Sequence, residues 1–201
     1  MLKYTFSKVS LGEFKEKSSI FYSVAQTVSS INDLKSKLSN VKGKYPDASH
    51  VCYAYRIKMG DRLDEFYSDA GEPKGSAGKP ILNTLKRNNL INSVIFVIRY
   101  FGGTELGIPG LIHAYGTAAQ EVIGNAIIKQ CLEKKRIGIS YPYKLEGIMK
   151  SLLEKEQIEV IHEDFGEKID IQVEIDVKSA NEFIDSIKEL SARFGQIILT
   201  E

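Results

Sequence analysis

Two glycine-rich loops with an apolar strand between them constrain the fold of this chain more than any other feature. The first loop covers residues 71–78 and the second loop residues 102–110, and a segment with helical spacing of apolar residues follows each. Between them, Val94–Ile98 is a continuous apolar run, which indicates a strand covered on both faces. Glycine reaches positive φ freely and lets another group approach the backbone. The stretch from Asp69 to Tyr115 therefore predicts two strand-to-helix turns whose N–H groups can receive an anion.

Length and composition restrict the class of protein. The 201 residues allow one large domain or two small ones, and the hydrophobic fraction of 43% and charged fraction of 26% are ordinary for a globular protein. No run approaches the roughly 18 apolar residues that a membrane span requires, and the first residues lack the apolar core of a signal peptide. We therefore predict a cytoplasmic protein in which Cys52 and Cys131 are buried free thiols, since neither stands in a metal-spaced or CxxC pair.

The charge is divided unevenly along the chain. Residues 1–135 hold 19 Lys and Arg against 12 Asp and Glu, whereas residues 136–201 hold 8 against 14, so a net charge of +1 conceals halves of +7 and −6. This division predicts a basic half that meets nucleic acid, two domains that attract each other across their interface, or both.

Apolar spacing predicts mixed strands and helices in residues 1–135. Ser30 stands where it can cap the first helix. The predicted strands cover residues 3–7, 19–29, 48–59, 62–68 and 94–98, and the predicted helices start at Ile31, Pro80 and Leu111, the last one running to about Cys131.

Residues 136–201 follow a βαββαβ order, which is typical of a ferredoxin-like domain. Lys134–Arg136 is taken as the boundary before it, and Ser179 with Glu182 as the capping box of its second helix. The predicted strands cover residues 137–141, 158–165, 168–177 and 196–200, and the predicted helices cover residues 143–156 and 179–193.

The first loop is not a nucleotide-binding P-loop. That motif needs glycine at position 73 and Ser or Thr at position 80, but both residues are proline, so Lys79 is not the phosphate-binding lysine of such a loop. Both glycine loops can still form a backbone nest for phosphate. The alternative, that the glycines only permit tight turns, stays open.

The tripeptide Arg99-Tyr100-Phe101 ends the buried strand. A guanidinium beside aromatic rings can pair with phosphate and stack on bases. In the alternative, the rings fill the core and Arg99 pairs with Glu72 or Glu105. Because successive strand residues face opposite sides, we expect one of the two rings to belong to the core.

An enzyme would have to use Asp69, Glu72, Glu105 and His113, since carboxylates and histidine can do acid–base work or hold a metal. Their spacing specifies no reaction, and no serine or cysteine stands in a nucleophile motif. His50 is interpreted as a hydrogen-bonded sheet histidine. The sequence thus predicts no catalytic residue, no metal site and no cofactor.

Several segments together resemble the IMPACT/YigZ family. They are residues 78–82 and 98–107, with further matches at residues 49–56 and 68–73. The resemblance covers about residues 18–125, and the remainder resembles the second domain of bacterial members. It implies an α+β protein whose first domain is a two-layer α/β sandwich like the second domain of a ribosomal protein, with a left-handed βαβ crossover. It implies a ferredoxin-like second domain similar to the last domain of elongation factor G.

The resemblance also carries functional expectations. Eukaryotic relatives regulate translation through an additional domain, and binding to nucleic acid or the ribosome is the usual suggestion for bacterial members. Family members commonly have Lys at the position of Glu105, Arg or Asn at His113, and Gly at Pro109. A carboxylate at position 105 weakens an anion site by like-charge repulsion, so the first loop and Arg99 are the stronger candidates for phosphate contact.

We predict a non-catalytic, translation-related regulator that binds RNA or the ribosome through its basic first domain, residues 1–135. A protein partner in translation control is a further expectation. The alternatives are a small-molecule or phosphate-ligand enzyme that uses the same loops, and a protein-interaction module that docks through the acidic domain, residues 136–201. The predicted ligand-binding residues are Asp69, Gly71, Glu72, Pro73, Lys74, Gly75, Ser76, Gly78, Lys79, Arg99, Tyr100, Phe101, Gly102, Gly103, Gly107 and His113.

Overall fold

A computed structural model describes residues 2–60, 62–131 and 134–200. The chain forms two compact units, Met1–Cys131 and Leu132–Glu201. The predicted α+β class is confirmed, because both units combine antiparallel sheets with packed helices. Residues 134–136, taken from the sequence as the boundary, belong to the first strand of the second unit, where they pair with residues 174–176.

The first unit is built on a five-stranded antiparallel sheet in the order β2-β3-β6-β4-β5. Two short strands, β1 and β7, pair with each other outside it. The strands are β1 (Tyr4–Phe6), β2 (Ser10–Glu16), β3 (Ser19–Thr27), β4 (His50–Met59), β5 (Arg62–Ser68), β6 (Ser93–Tyr100) and β7 (Ile128–Gln130).

Helices cover both faces of this sheet: α1 (Ile31–Lys44), α2 (Gly78–Arg87) and α3 (Gly107–Gly124). The two-layer description applies to the sheet with α2 and α3, which share one apolar core, while α1 packs on the opposite face. Residues Val94–Ile98 of the central strand are fully buried between these cores, as predicted. The predicted cap of α1 is also confirmed, since Ser30 Oγ accepts a hydrogen bond from the N–H of Asp33 at 3.1 Å.

Two elements of the first unit differ from the prediction. Strand β2 was missed because only Leu11 and Phe14 are large apolar residues in Ser10–Glu16, and Leu11 is exposed. Helix α3 ends at Gly124 and not near Cys131, because residues 128–130 leave the helix to pair with residues 4–6 of β1.

The second unit has the predicted ferredoxin-like order. Its antiparallel sheet runs β11-β8-β10-β9 and packs against both of its helices. The N-cap of the second helix is Asp176 and not Ser179, because Asp176 is still extended and the helix starts at the next residue. The elements are β8 (Lys134–Tyr141), α4 (Glu146–Lys155), β9 (Glu159–Phe165), β10 (Ile169–Asp176), α5 (Val177–Phe194) and β11 (Ile198–Thr200).

Strand register brings both glycine loops to the same end of the first sheet. Arg99, near the end of β6, lies opposite His50 at the start of β4 and Phe21 near the start of β3. The first loop follows the end of β5, which pairs with β4 at Tyr53 and Ser68. Because neighbouring strands are antiparallel, the ends of β5 and β6 and the starts of β3 and β4 meet at this end of the sheet.

Candidate ligand-binding cleft

A cleft of about 490 Å³ opens in the first unit between the two glycine loops. This volume lies within the range of small-molecule binding sites, about 300–1,000 Å³. Its polar wall includes Ser49, His50, Glu72 and Arg99, and its apolar wall includes Phe101, Leu106, Ile108 and Leu111.

The first loop is folded around the carboxylate of Asp69. This carboxylate accepts hydrogen bonds from the backbone N–H groups of Gly75 at 2.7 Å, Ala77 at 3.1 Å and Gly78 at 2.8 Å. The hydroxyl of Ser76 is fully buried and donates to the carbonyl oxygen of Pro73 at 2.7 Å. These donors are therefore already satisfied and are not available to a bound phosphate.

Close backbone packing explains two glycines of the first loop. A Cβ atom on Gly78 would lie 2.7 Å from the carbonyl oxygen of Ser68, so α2 starts directly against the end of β5. Gly71 has φ +94° and lies under the ring of His50. Since the carbonyl oxygen of Ala70 can only accept, His50 Nδ1 carries the proton of their 2.9 Å hydrogen bond. The interpretation of His50 as a hydrogen-bonded sheet histidine is confirmed.

Arg99 forms a buried ion pair with Glu72. Nη1 of Arg99 lies 2.7 Å from Oε1 of Glu72, and the two side chains are only 6% and 4% exposed. The same carboxylate oxygen accepts the hydroxyl of Tyr115 at 2.8 Å, while Nη2 of Arg99 donates to Ser19 Oγ at 3.2 Å. Burial raises the pKa of Tyr115, so this phenol stays protonated. Of the two partners that the sequence allowed for Arg99, Glu72 and Glu105, the structure pairs it with Glu72.

Two aromatic rings flank the Arg99 guanidinium. Its Cζ lies 5.6 Å from the ring centre of Phe21 and 5.2 Å from that of Phe101. Phe101 lines the cleft and is 49% exposed. Tyr100 turns to the α1 side of the sheet, where it meets Tyr22 edge to face at 6.0 Å. As expected, one ring of the tripeptide packs on the core and the other stays at the surface.

Cys52 makes a hydrogen bond to the backbone of Asp69, whose side chain holds the first loop. Its thiol is fully buried and donates to the carbonyl oxygen of Asp69 at 2.9 Å. Burial raises the pKa of Cys52 to about 12. The group is therefore a thiol and not a thiolate at neutral pH, and it holds Asp69 in place rather than acting as a nucleophile.

The second loop is held at three of its residues, Gly102, Thr104 and Glu105. A Cβ atom on Gly102 would lie 1.8 Å from the carbonyl oxygen of Ser18, so only glycine fits there. Further along, Ser18 Oγ donates to Thr104 Oγ1 at 2.8 Å and Lys17 Nζ donates to the carbonyl oxygen of Glu105 at 3.1 Å. Residues 102–105 of this loop are all exposed to the solvent.

The start of α3 forms one side of the cleft. Leu106 is the N-cap residue, and its side chain makes no capping hydrogen bond. The first N–H groups of a helix have no partner within the helix and carry a partial positive charge. Gly107 and Ile108, which provide such groups, both line the cleft.

The structure divides the predicted ligand-binding residues into three groups. Glu72, Pro73, Arg99, Phe101 and Gly107 line the cleft. His113 lies elsewhere, in a groove of about 390 Å³ between α2 and α3, where it meets the ring of Phe14 at 6.2 Å. The remaining ones are outside the lining of the cleft: Asp69 just before the first loop, Gly71, Lys74, Gly75, Ser76 and Gly78 within it, Lys79 directly after it, Tyr100 on the other sheet face, and Gly102 and Gly103 in the second loop.

Sequence reasoning missed several residues of the cleft. Ser49, Leu106, Ile108 and Leu111 were not among the predicted ligand-binding residues, and His50 was assigned to the sheet alone. Ser49 and His50 could have been identified from the pairing of His50 with Arg99, but this pairing is known only once the strand register is known. Leu106, Ile108 and Leu111 lie at the N-cap and in the first two turns of α3. The sequence predicted the start of this helix at Leu111, whereas it lies at Gly107.

Across residues 2–60, 62–131 and 134–200, no three or more His, Cys, Asp or Glu side chains are grouped as metal ligands would be. In the same part of the chain, every helix is too short or too polar to span a membrane.

Comparisons with known proteins identify the family. The family model for the Impact N-terminal domain matches residues 17–123, which is more than half of the chain. The chain belongs to the IMPACT family. A model for a domain of unknown function, DUF1949, matches residues 139–192 in the second unit.

IMPACT relatives match this chain over most of its length. An IMPACT family member of Haemophilus influenzae is 30% identical over 91% of this chain and 88% of its own. The IMPACT family member YigZ of Escherichia coli is 27% identical over 92% of this chain and 91% of its own. The crystal structure of a hypothetical protein, 24% identical, superposes with a TM-score of 0.79 over 98% of this chain and 96% of that chain, which confirms the fold.

Proposed function

We propose that this IMPACT family protein is a non-catalytic, translation-related regulator that binds RNA, free or in the ribosome, through its first unit. The translational role is the expectation that the family carries. The observation that carries RNA binding is the half-exposed ring of Phe101, which stands beside a guanidinium at the cleft between the two glycine loops.

The Phe101 ring suits stacking on an unpaired base. Aromatic side chains in single-strand-binding proteins contribute about 1–3 kcal/mol per stacked base and tolerate any sequence. One side of the ring is against Arg99, and 49% of the residue is exposed. A base can therefore cover the exposed part of the ring without displacing any core residue.

Lysines around the cleft, rather than Arg99, supply the charge for phosphate contacts. Arg99 is neutralised by Glu72 and is only 5% exposed. Lys17, Lys74 and Lys79 are exposed: Lys17 donates to the second loop at Glu105, Lys74 lies within the first loop, and Lys79 directly follows it. Exposed ammonium groups bind phosphates as point charges and release counterions from the nucleic acid.

Protonation of the buried groups favours a binding protein over an enzyme that would use the same residues. Burial raises the pKa of Cys52 to about 12 and also raises the pKa of Tyr115, so neither side chain is a base or nucleophile at neutral pH. Glu72 Oε1 already accepts from both Arg99 and Tyr115. This network orders the wall of the cleft.

Fluorescence anisotropy with a labelled ten-nucleotide oligo(U) tests the proposal. We expect log K to fall linearly with log salt concentration, with a slope of about −0.7 for each phosphate contacted, or about −2 for three lysine contacts. Phe101→Ala should weaken binding about tenfold through the lost stacking. The matched control is Phe165→Ala in the second unit, where the ring is 58% exposed and affinity should not change.

Two results would contradict RNA binding by this cleft. One is the absence of binding at low salt, and the other is an equal loss in the Phe101 and Phe165 variants. A thermal-shift panel of nucleotides and sugar phosphates examines the small-ligand alternative, because a ligand of the native state raises stability by mass action. Co-sedimentation with ribosomes compares the same two variants in the presence of structured RNA.

A further inference from the structure

A groove of about 430 Å³, called the β9 groove below, lies in the second unit between residues 150–157 at the end of α4 and residues 158–163 at the start of β9. Its lining is partly apolar, since it includes the buried side chains of Tyr141 and Leu153 and the partly buried Val160. Val160 pairs with Val173, a core residue, so β9 turns this side chain toward the helices. The β9 groove therefore continues the core surface of the second unit at the side of β9.

Strand β9 is an edge of the four-stranded sheet. Within residues 134–200 it pairs with β10 alone, so about half of its N–H and C=O groups point away from the sheet. A β-bulge at Ile161 interrupts the pairing with β10, and His162–Phe165 beyond it is in regular register. Edge groups of this kind can pair with an extended segment of another chain.

An edge strand beside an apolar groove is the arrangement that binds peptides by strand addition. Main-chain hydrogen bonds to the edge supply affinity, and pockets for every second side chain supply specificity. A strand added to β9 would direct alternate side chains toward the helix side of the sheet. There, Leu153, Ile158 and Val160 can contact aliphatic groups.

The charge around the β9 groove decides which strand fits. Glu154, Glu159 and Glu163 line the groove and are exposed. Lys150 also lines it, but its ammonium is paired with Glu146 at 2.7 Å. A nucleic acid strand, or the β9 strand of a second copy, would bring negative charge against these carboxylates. A strand that carries Lys or Arg is therefore favoured over both.

We propose that the second unit binds an extended basic segment of a partner protein, which adds to β9 as a further strand and places aliphatic side chains in the β9 groove. The excess of 14 Asp and Glu over 8 Lys and Arg in residues 136–201 attracts such a segment over a longer range. This inference goes beyond the proposed function, because it concerns protein recognition by the second unit and does not require RNA binding by the first.

A labelled peptide of alternating lysine and valine, with the seven residues of β9 as its length, tests strand addition by fluorescence anisotropy on the full chain. We expect this peptide to bind, and the same peptide methylated on its backbone nitrogens to bind more weakly by about tenfold or more, because methylation removes the main-chain donors. A peptide with glutamate in place of lysine should not bind. The proposal is wrong if the basic peptide does not bind, or if the methylated or the glutamate peptide binds equally well.

Amide hydrogen exchange locates the added strand. The basic peptide should protect alternate N–H groups of His162–Phe165, while those of Ile198–Thr200 in β11, the opposite edge of the sheet, stay unchanged as a matched control. Equal protection of both edges, or protection only outside β9, would contradict strand addition. Protection of His162–Phe165 by oligo(U) would assign this edge to RNA and overturn the proposal.

Glu163→Gln tests the charge of the β9 groove. It should weaken binding of the basic peptide about two- to fivefold, the range expected for the loss of one exposed ion pair. The matched control is Glu189→Gln, which removes an exposed carboxylate of α5 outside the lining of the groove and should leave the affinity unchanged. Equal effects of the two substitutions would refute the role of Glu163.

Sedimentation of the free chain tests a second copy as the occupant of the same edge. We expect no dimer that the basic peptide dissociates, because the carboxylates of β9 would face those of its copy. A dimer that the peptide dissociates would assign the edge to self-association and contradict the proposal.

Discussion

The two glycine loops have similar compositions but opposite relations to their own backbone donors. In the first loop, three N–H groups donate to the carboxylate of Asp69, and Ser76 and Gly78 are buried. In the second loop, residues 102–105 are exposed, and α3 starts without a side-chain cap. The carboxylate of Asp69 thus occupies three donors of the first loop, whereas no side chain caps the N–H groups of Gly107 and Ile108, which line the cleft.

The sequence favoured the first loop for phosphate contact because Glu105 weakens an anion site in the second loop by like-charge repulsion. A carboxylate supplied by the chain itself occupies the first loop like a built-in ligand. Glycine-rich composition identifies the capacity to bind an anion, but only the hydrogen bonds decide whether that capacity is still available.

The largest expected effect comes from removing the internal anion of the first loop. Asp69→Ala leaves the N–H groups of Gly75, Ala77 and Gly78 without their acceptor, and should lower the free energy of unfolding of the first unit by about 2–4 kcal/mol. Calorimetry resolves this loss. Asp47→Ala, at an exposed turn, is the control and should be nearly neutral. A neutral result for Asp69→Ala would contradict the account of the first loop.

A pair of glycine substitutions measures how tightly each loop is packed. Gly78→Ala should destabilise by about 2–3 kcal/mol, since its Cβ would meet the backbone of Ser68 at 2.7 Å. At Gly103 an added Cβ atom would meet no neighbouring atom, but the residue has a φ of +89°. Gly103→Ala should therefore destabilise the protein only through backbone strain, by about 1–2 kcal/mol. Denaturation midpoints of the two variants give the difference. If the two variants lose equal stability, or if Gly103→Ala loses more, the first loop is not packed more tightly than the second.

A smaller effect is the pH dependence that Cys52 contributes beneath the first loop. Burial raises the pKa of Cys52 from 9.0 to about 12, so the folded state favours the thiol. This contribution to stability is complete below pH 9 and is lost as the pH rises toward 12, because the unfolded thiol ionises first.

Thiol labelling checks the protonation of Cys52 directly. At pH 8, a pKa three units above the ordinary value lowers the thiolate fraction about a thousandfold. We expect Cys131, which is only partly buried, to react first and Cys52 to react only when the first loop opens. Equal labelling rates in the native protein would contradict this prediction.

Much of the fold could be predicted from local pattern. The apolar run Val94–Ile98 predicted β6, and the capping residue Ser30 predicted the start of α1. The βαββαβ order of elements predicted the fold of the second unit. Strand β2 could not be predicted, since its pairing with β3 and not its composition makes it a strand. The end of α3 depends on the distant pairing of β7 with β1.

The candidate site was only partly predictable because its chemistry depends on long-range contacts. The sequence placed Glu72, Arg99 and Phe101 in one predicted site, but it did not decide whether Arg99 pairs with Glu72 or with Glu105. It could not indicate that Asp69 fills the first loop, because the carboxylate and its donors are six to nine residues apart and meet only when the loop folds. It also grouped His113 with this site, although α3 turns that side chain toward α2.

Amide hydrogen exchange with and without oligo(U) tests the contrast between the loops most directly. The account predicts slow exchange at Gly75, Ala77 and Gly78 in both states, since these groups are bonded to Asp69. It predicts fast exchange at Gly107 and Ile108 in the free protein and protection when RNA binds. Protection gained by the first loop, with Gly107 and Ile108 unchanged, would contradict the account.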